Sequence, residues 1–193
     1  MKERKITYTI LKSISMFLIN LVYRPKILGK ENIPNSGAII LAGNHINALD
    51  PVIAASGTNR IVHFMAKEEV SKGFHGKLFD LVGIIRVYKD RNKNIKSIIT
   101  ANNILKTGGA LGIFPEGTRN RTDKALLKLH FGAVTIAIKS NAKIVPFAIR
   151  GVYKPFKNGL EIEFGKPLDV SNMTSQTAND YLKNTLLKLL KVG

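Results

Sequence analysis

The chain has no cysteine among its 193 residues. That excludes disulfides, thiolate catalysis and cysteine-based metal sites, and it is compatible with a reducing compartment. The four histidines, His45, His63, His75 and His130, show no close ligand spacing such as HExxH, so neither a metal nor a cofactor is expected. A GxSxG elbow is missing as well, and with it any evident serine nucleophile. Acidic residues are scarce, 13 Asp+Glu against 30 Lys+Arg, for a formal charge of +17. No repeat and no low-complexity linker interrupts the chain. What remains is 45% apolar, ordinary for a folded protein, and long enough for one domain with a real core.

A surface this basic is drawn to polyanions, either nucleic acid or an anionic membrane. Charge alone does not choose between them. The aromatics do not interleave with the basic residues as a stacking platform would, and no reader motif occurs, so no nucleic-acid partner is expected.

The amino terminus points to the membrane. Ile6 to Tyr23 is apolar-rich, preceded by Lys2, Arg4 and Lys5 and followed by Arg24 and Lys26. It is near the minimum span of a bilayer core, but it carries Lys12 and several Ser, Thr and Asn. That composition favours a helix lying in the interface over one that spans, with packing on the soluble core as the third option. No small-residue cleavage site follows, so removal as a signal peptide is not expected. The expected organisation is a membrane-associating helix at 1–23 and a single domain at 24–193.

Short apolar runs recur at Ala38–Ala42, Ile61–Met65, Ile84–Tyr88, Ala110–Phe114, Ile144–Ile149 and Leu160–Phe164. Helical patterns lie between them, near Pro51–Ser56, Phe74–Leu81, Asn94–Lys106 and Leu127–Ser140, with a last one at Ser175–Lys191. This alternation predicts an α/β domain around a mixed, largely parallel sheet flanked by helices. In such folds the ligand site gathers beyond the carboxyl ends of the strands. Two polar loops follow predicted strands.

The first loop is GNHINALDP, Gly43 to Pro51. Asp50 before Pro51 is a good helix start, where the carboxylate can cap free amides. Paired with His45 across a tight turn, the same carboxylate can hold the imidazole in one tautomer, with the other nitrogen facing a cleft. A His–Asp base without a nucleophile of its own suits a reaction in which the substrate's hydroxyl attacks. The second loop is IFPEGTRNR, Ile113 to Arg121. It reads either as a surface turn with a Glu116–Arg119 ion pair or as an anion site. In the latter, Gly117 lets backbone amides approach, Thr118 offers a hydroxyl and Arg119 a bidentate fork. Glu116 would orient Arg119 or meet a substrate hydroxyl.

Taken together, His45-x4-Asp50 within NHINALDP, then FPEGTR at Phe114–Arg119, then IVPFAIRG at Ile144–Gly151, resemble three motifs of the 1-acylglycerol-3-phosphate acyltransferase family, in order and approximate spacing. The resemblance covers Arg24 to Pro167. It implies that His45 abstracts the proton of a glycerol hydroxyl, which attacks the thioester of an acyl-CoA or acyl-carrier protein, while Asp50 orients His45. It also implies that Glu116, Gly117, Thr118 and Arg119 hold lysophosphatidic acid by its glycerol phosphate. Pro146 would lie toward the donor or in a core strand. Localisation at the cytoplasmic face of the cell membrane follows from the same likeness.

The chain departs from the pattern in places. Asn47 stands where a serine is common. The segment GIIRVYKDR, Gly83–Arg91, has Tyr88 in place of an acid and Lys89 in place of the usual arginine, with Arg91 two residues on. Lys89 or Arg91 would meet the acceptor phosphate, with Arg86 a neighbour. His130 replaces a common lysine and reads as a partly buried helix residue or a group reaching an anion; His63 and His75 read as structural. The alternatives are a sibling acyltransferase with another lyso-lipid acceptor, or a non-catalytic module binding anionic lipid or nucleic acid.

Overall fold

The computed structural model describes residues 5–71 and 74–192, apart from the side chains of Lys5, Ser71, Phe74, His75 and Leu78. Lys2 and Arg4 and the side chains of Lys5 and His75, all singled out in the sequence, lie outside this description. The described residues form a seven-stranded sheet. In chain order the elements are α1 (Lys5–Val22), β1 (Lys26–Leu28), β2 (Ile39–Gly43), α2 (Asp50–Ala55), β3 (Val62–Lys67), α3 (Phe74–Val82), β4 (Ile85–Val87), α4 (Arg91–Lys106), β5 (Ala110–Ile113), α5 (Gly132–Ser140), β6 (Lys143–Arg150), β7 (Glu161–Phe164) and α6 (Ser175–Leu189). The strand order is β1-β7-β6-β2-β5-β3-β4. Every pairing is parallel except β6 with β7. This is the α/β architecture expected from the alternation.

The central strands are buried on both faces and so read as unbroken apolar runs. Along β2, Ile40 and Ala42 join the core under α4, α5 and α6, while Ile39 and Leu41 join the opposite core with α1 and α2. The period of two carries through β5 and β6: Leu111 and Ile144 face one way, Ala110 and Val145 the other. α6 is capped by Thr174, whose hydroxyl accepts from Thr177 N, and it presses the fully buried Leu182 and Leu186 onto the first core. Each such burial stabilises by roughly 1.5–3 kcal/mol.

Three boundaries differ from expectation. α4 begins at Arg91, three residues early, because Asp90 caps it by accepting from Lys93 N at 2.9 Å. α5 begins at Gly132, five residues late. The stretch ahead of it is pinned to the loop after β5, with Leu127 N on Glu116 and His130 N on Pro115 O. β1 was not anticipated; it is a short edge strand beside β7.

α1 has two unlike faces. One packs on the domain: Tyr8 and Ile19 are buried, the Tyr8 hydroxyl accepts from Val62 N, and the Lys12 ammonium donates to Thr58 O. The other exposes Ile6, Ile10, Ile14, Phe17, Leu18 and Leu21. Among the described residues no helix is long and apolar enough to cross a membrane.

Candidate functional site

Parallel pairing brings the carboxyl ends of β6, β2 and β5 side by side, in register at Gly43↔Phe147 and Ala42↔Ile113. The chain leaves β2 into His45, leaves β5 into Phe114–Arg119, and leaves β6 into Gly151–Tyr153. Gly43 is required at this exit: a Cβ there would stand 2.3 Å from the Phe147 ring.

His45 and Asp50 meet as the spacing suggests, with His45 Nδ1 2.7 Å from Asp50 Oδ2. Asp50 is fully buried and sits on the first turn of α2, but it does not cap that helix. Leu49 holds the cap position without a side-chain bond. The carboxylate instead turns back on its own loop. Oδ2 accepts from Ile46 N at 2.6 Å and Asn47 N at 2.8 Å as well as from His45, and Oδ1 accepts from the Tyr153 hydroxyl. Four donors fill the acceptor sites of one carboxylate. Since Nδ1–H donates to Asp50, Nε2 carries the lone pair. The imidazole lies flat on Phe114, ring centroids 4.1 Å apart at 20°, and about a sixth of its surface is open to solvent.

The second loop grips the first by its backbone. His45 N donates to Glu116 Oε1 at 2.8 Å, and His45 O accepts from Asn120 N at 2.6 Å. Glu116 is buried at 2% exposure, and its other oxygen accepts from Leu127 N at 2.7 Å. Burial pushes its carboxyl above the ordinary value, against the pull of the two amides. This corrects one of the two expectations for Glu116: each of its oxygens takes a backbone amide, and no ion pair with Arg119 forms among the described residues. Gly117 makes the turn, with φ +65° and its N–H on Phe114 O at 3.0 Å, a conformation that favours glycine. Thr118 and Arg119 follow it, both exposed.

The cations of the Gly83–Arg91 segment lie apart from this cluster. β4 is two strands beyond β5, so Lys89 and Arg91 leave the sheet on the same edge but roughly 10 Å along it. Both are exposed, and Lys89 pairs with Glu69 at 2.9 Å. Arg86 is held by Asp80 at 2.7 Å. His130 is neither helical nor partly buried; it is exposed ahead of α5, with its ring edge beside Gly117. His63 is a buried structural residue whose Nδ1 bonds Gly83 O at 2.8 Å. Pro146 lies inside the buried β6.

Two residues of the cluster escaped the sequence reading. Tyr153 comes from 103 positions beyond Asp50; an aromatic hydroxyl just past the strand of IVPFAIRG was its only signal. Burial, then the Asp50 carboxylate, push its phenol above the ordinary value, so it remains a donor. Asn44, next to His45, uses its amide as a strand partner for Ile149, donating to its carbonyl at 2.9 Å and accepting from its N–H at 2.7 Å.

The chain is similar to the 1-acyl-sn-glycerol-3-phosphate acyltransferase of Bacillus subtilis, 33% identical over 149 residues that make up 74% of this chain and 73% of the relative. The enzyme of the same name from Borreliella burgdorferi is 32% identical over 129 residues, 64% of this chain and 50% of the relative. The fold matches the crystal structure of the 1-acyl-sn-glycerophosphate acyltransferase of Thermotoga maritima with a TM-score of 0.76, over 95% of this chain and 78% of that one, at 19% identity. The Acyltransferase family model matches residues 24–150, from the end of α1 to the end of β6 and so across His45, Asp50 and the Glu116 loop, and the chain belongs to that family of enzymes.

Proposed function

We propose that the protein transfers a fatty acyl group from an acyl thioester, carried on CoA or on acyl-carrier protein, to the free hydroxyl of 1-acyl-glycerol-3-phosphate, giving phosphatidate for phospholipid synthesis. The observation that carries this reading is the His45–Asp50 pair at 2.7 Å, with Asp50 saturated by donors. Its Nε2 lone pair can take the proton of an alcohol as the oxygen attacks the thioester carbonyl. Asp50 balances the imidazolium that forms, and the proton passes to the departing thiolate. No enzyme nucleophile is needed. Gly117, Thr118 and Arg119 receive the acceptor's glycerol phosphate, and Lys89 or Arg91 supplies a second cation. Glu116 acts as the tie that keeps this loop beside His45. The exposed apolar face of α1, with basic residues around it, seats the enzyme on the cytoplasmic face of an anionic membrane. The test is an assay of the purified protein with lysophosphatidate and each donor type, reading phosphatidate by mass spectrometry. No product with either donor, while another lyso-lipid is acylated, would transfer the reading to that acceptor.

A further inference from the structure

The loop between β6 and β7 faces two ways. Tyr153 turns inward to Asp50, while its neighbours Val152 and Phe156 stand 57% and 72% exposed. Phe156 is more than an exposed apolar residue. Its backbone has φ +58°, a conformation that a bulky side chain rarely adopts. Such strain persists only where the surroundings impose it, and it clusters at functional sites. Here it accompanies a phenyl residue left 72% exposed.

The loop is also tied to the membrane-facing helix. Phe156 N donates to Val22 O, at the last residue of α1, at 2.6 Å. Tyr153 meets Tyr23 edge to face, centroids 5.5 Å apart. The exposed apolar face of α1 ends at Leu21, so the Phe156 backbone is fastened at the carboxyl end of the helix that carries it. Exposed cations adjoin this junction in the chain: Lys154 and Lys157 on either side of Phe156, and Arg24 two residues beyond Val22. An exposed aromatic flanked by cations complements one kind of partner, an anionic lipid interface.

We propose that the Val152–Lys157 loop is a second membrane-seating element, with Phe156 as its inserted side chain, and that it sets the mouth of the His45–Asp50 site against an anionic bilayer. The inference rests on the lipid-acylating reading for its purpose, though not for its physical test. Once Phe156 is inserted, Tyr153 of the same loop holds Asp50 at the membrane boundary. An acceptor can then present its headgroup hydroxyl without leaving the bilayer.

The strain supplies a clean variant. Phe156→Asn removes the ring and places there a residue that tolerates the left-handed region, so thermal stability is expected to hold or rise. Partitioning of the full chain onto phosphatidylglycerol-containing vesicles, read by co-sedimentation, should fall roughly tenfold, the scale for losing one partly buried aromatic side chain. Phe156→Trp should bind like the parent. Turnover of a long-chain lysophosphatidate in those vesicles should fall with Phe156→Asn, while turnover of a water-soluble short-chain one should not. Unchanged partitioning of Phe156→Asn would overturn the proposal. So would equal loss in Phe156→Trp, which would implicate the loop's fold, or a monomer–dimer equilibrium that Phe156→Asn abolishes, which would make the occupant a second copy. If the parent acylates neither substrate, the proposed function fails while the vesicle result still decides this inference.

Discussion

The loop after β2 and the loop after β4 leave the same edge of one sheet, and they are built in opposite ways. In the first, Asp50 is wholly buried and takes four donors, and the His45 backbone is bonded on both its N–H and its carbonyl. In the second, Lys89 and Arg91 stand in solvent, Lys89 in a surface ion pair with Glu69. A general base must meet its proton within a few tenths of an ångström, so its geometry has to exist before the substrate arrives. A phosphate contact tolerates adjustment, because a long cationic side chain can follow its ligand. The Glu116–Arg119 loop combines both modes: Glu116 is buried and bonded, and Arg119, three residues on, is free to reach.

If this contrast is right, the buried loop should dominate the rate. His45→Ala is expected to lower kcat by roughly 10²–10⁴-fold with little change in melting temperature. Steady-state kinetics beside a thermal melt would check it, and retention of most of the turnover would falsify the catalytic reading. Asp50→Asn should follow at roughly 10²-fold. Its amide oxygen can keep the Ile46 and Asn47 N–H groups while its NH₂ turns to the Tyr153 hydroxyl, which is able to accept. The fold should therefore hold while the imidazole loses its charged partner. A stability loss equal to the activity loss would instead make Asp50 a structural residue alone.

The adaptable arms should give smaller, substrate-specific effects. Arg119→Lys keeps the charge but loses the bidentate fork, so the acceptor KM should rise roughly tenfold while the donor KM barely moves. Lys89→Ala or Arg91→Ala should shift the acceptor KM less than that. Whichever of the two shifts it more supplies the second phosphate contact. A change confined to the donor KM in all three would reassign these cations to the donor's phosphates.

The last effect is on stability rather than on rate. Glu116→Gln sets an NH₂ against either His45 N or Leu127 N, leaving one buried donor unpaired at about 1–3 kcal/mol, a fall of several degrees in Tm. The Glu116 carboxyl is raised in the folded chain. The native state therefore binds the proton more tightly than the unfolded state, and stability declines as pH rises from the ordinary carboxylate range through the raised value. Melting curves across the acidic range should show that slope in the parent and lose the Glu116 contribution in Glu116→Gln.

Local chemistry carried much of this in the linear chain. The apolar runs marked six of the strands: the central β2, β5 and β6 are buried on both faces and apolar almost throughout, while β7, next to the edge strand β1, keeps only the alternating Ile162 and Phe164 buried. The turn between β2 and α2 was legible because His45 and Asp50 are only five residues apart, and a tight turn brings them together whatever the rest does. The role of Asp50 toward its helix was misread: proximity to Pro51 suggested a cap, but the amides of Ile46 and Asn47 and the imidazole of His45 compete for the same oxygen and hold it. Tyr153, Asn44 and the fate of Glu116 belong to the tertiary structure alone. Their partners lie 103, 105 and 71 residues away, and the parallel order β6-β2-β5 is what puts those partners side by side. The same holds for α1. Its sequence set how apolar it is, but only the fold decided which face packs on Val62 and Thr58 and which is left exposed, because burial depends on the surface the rest of the chain offers.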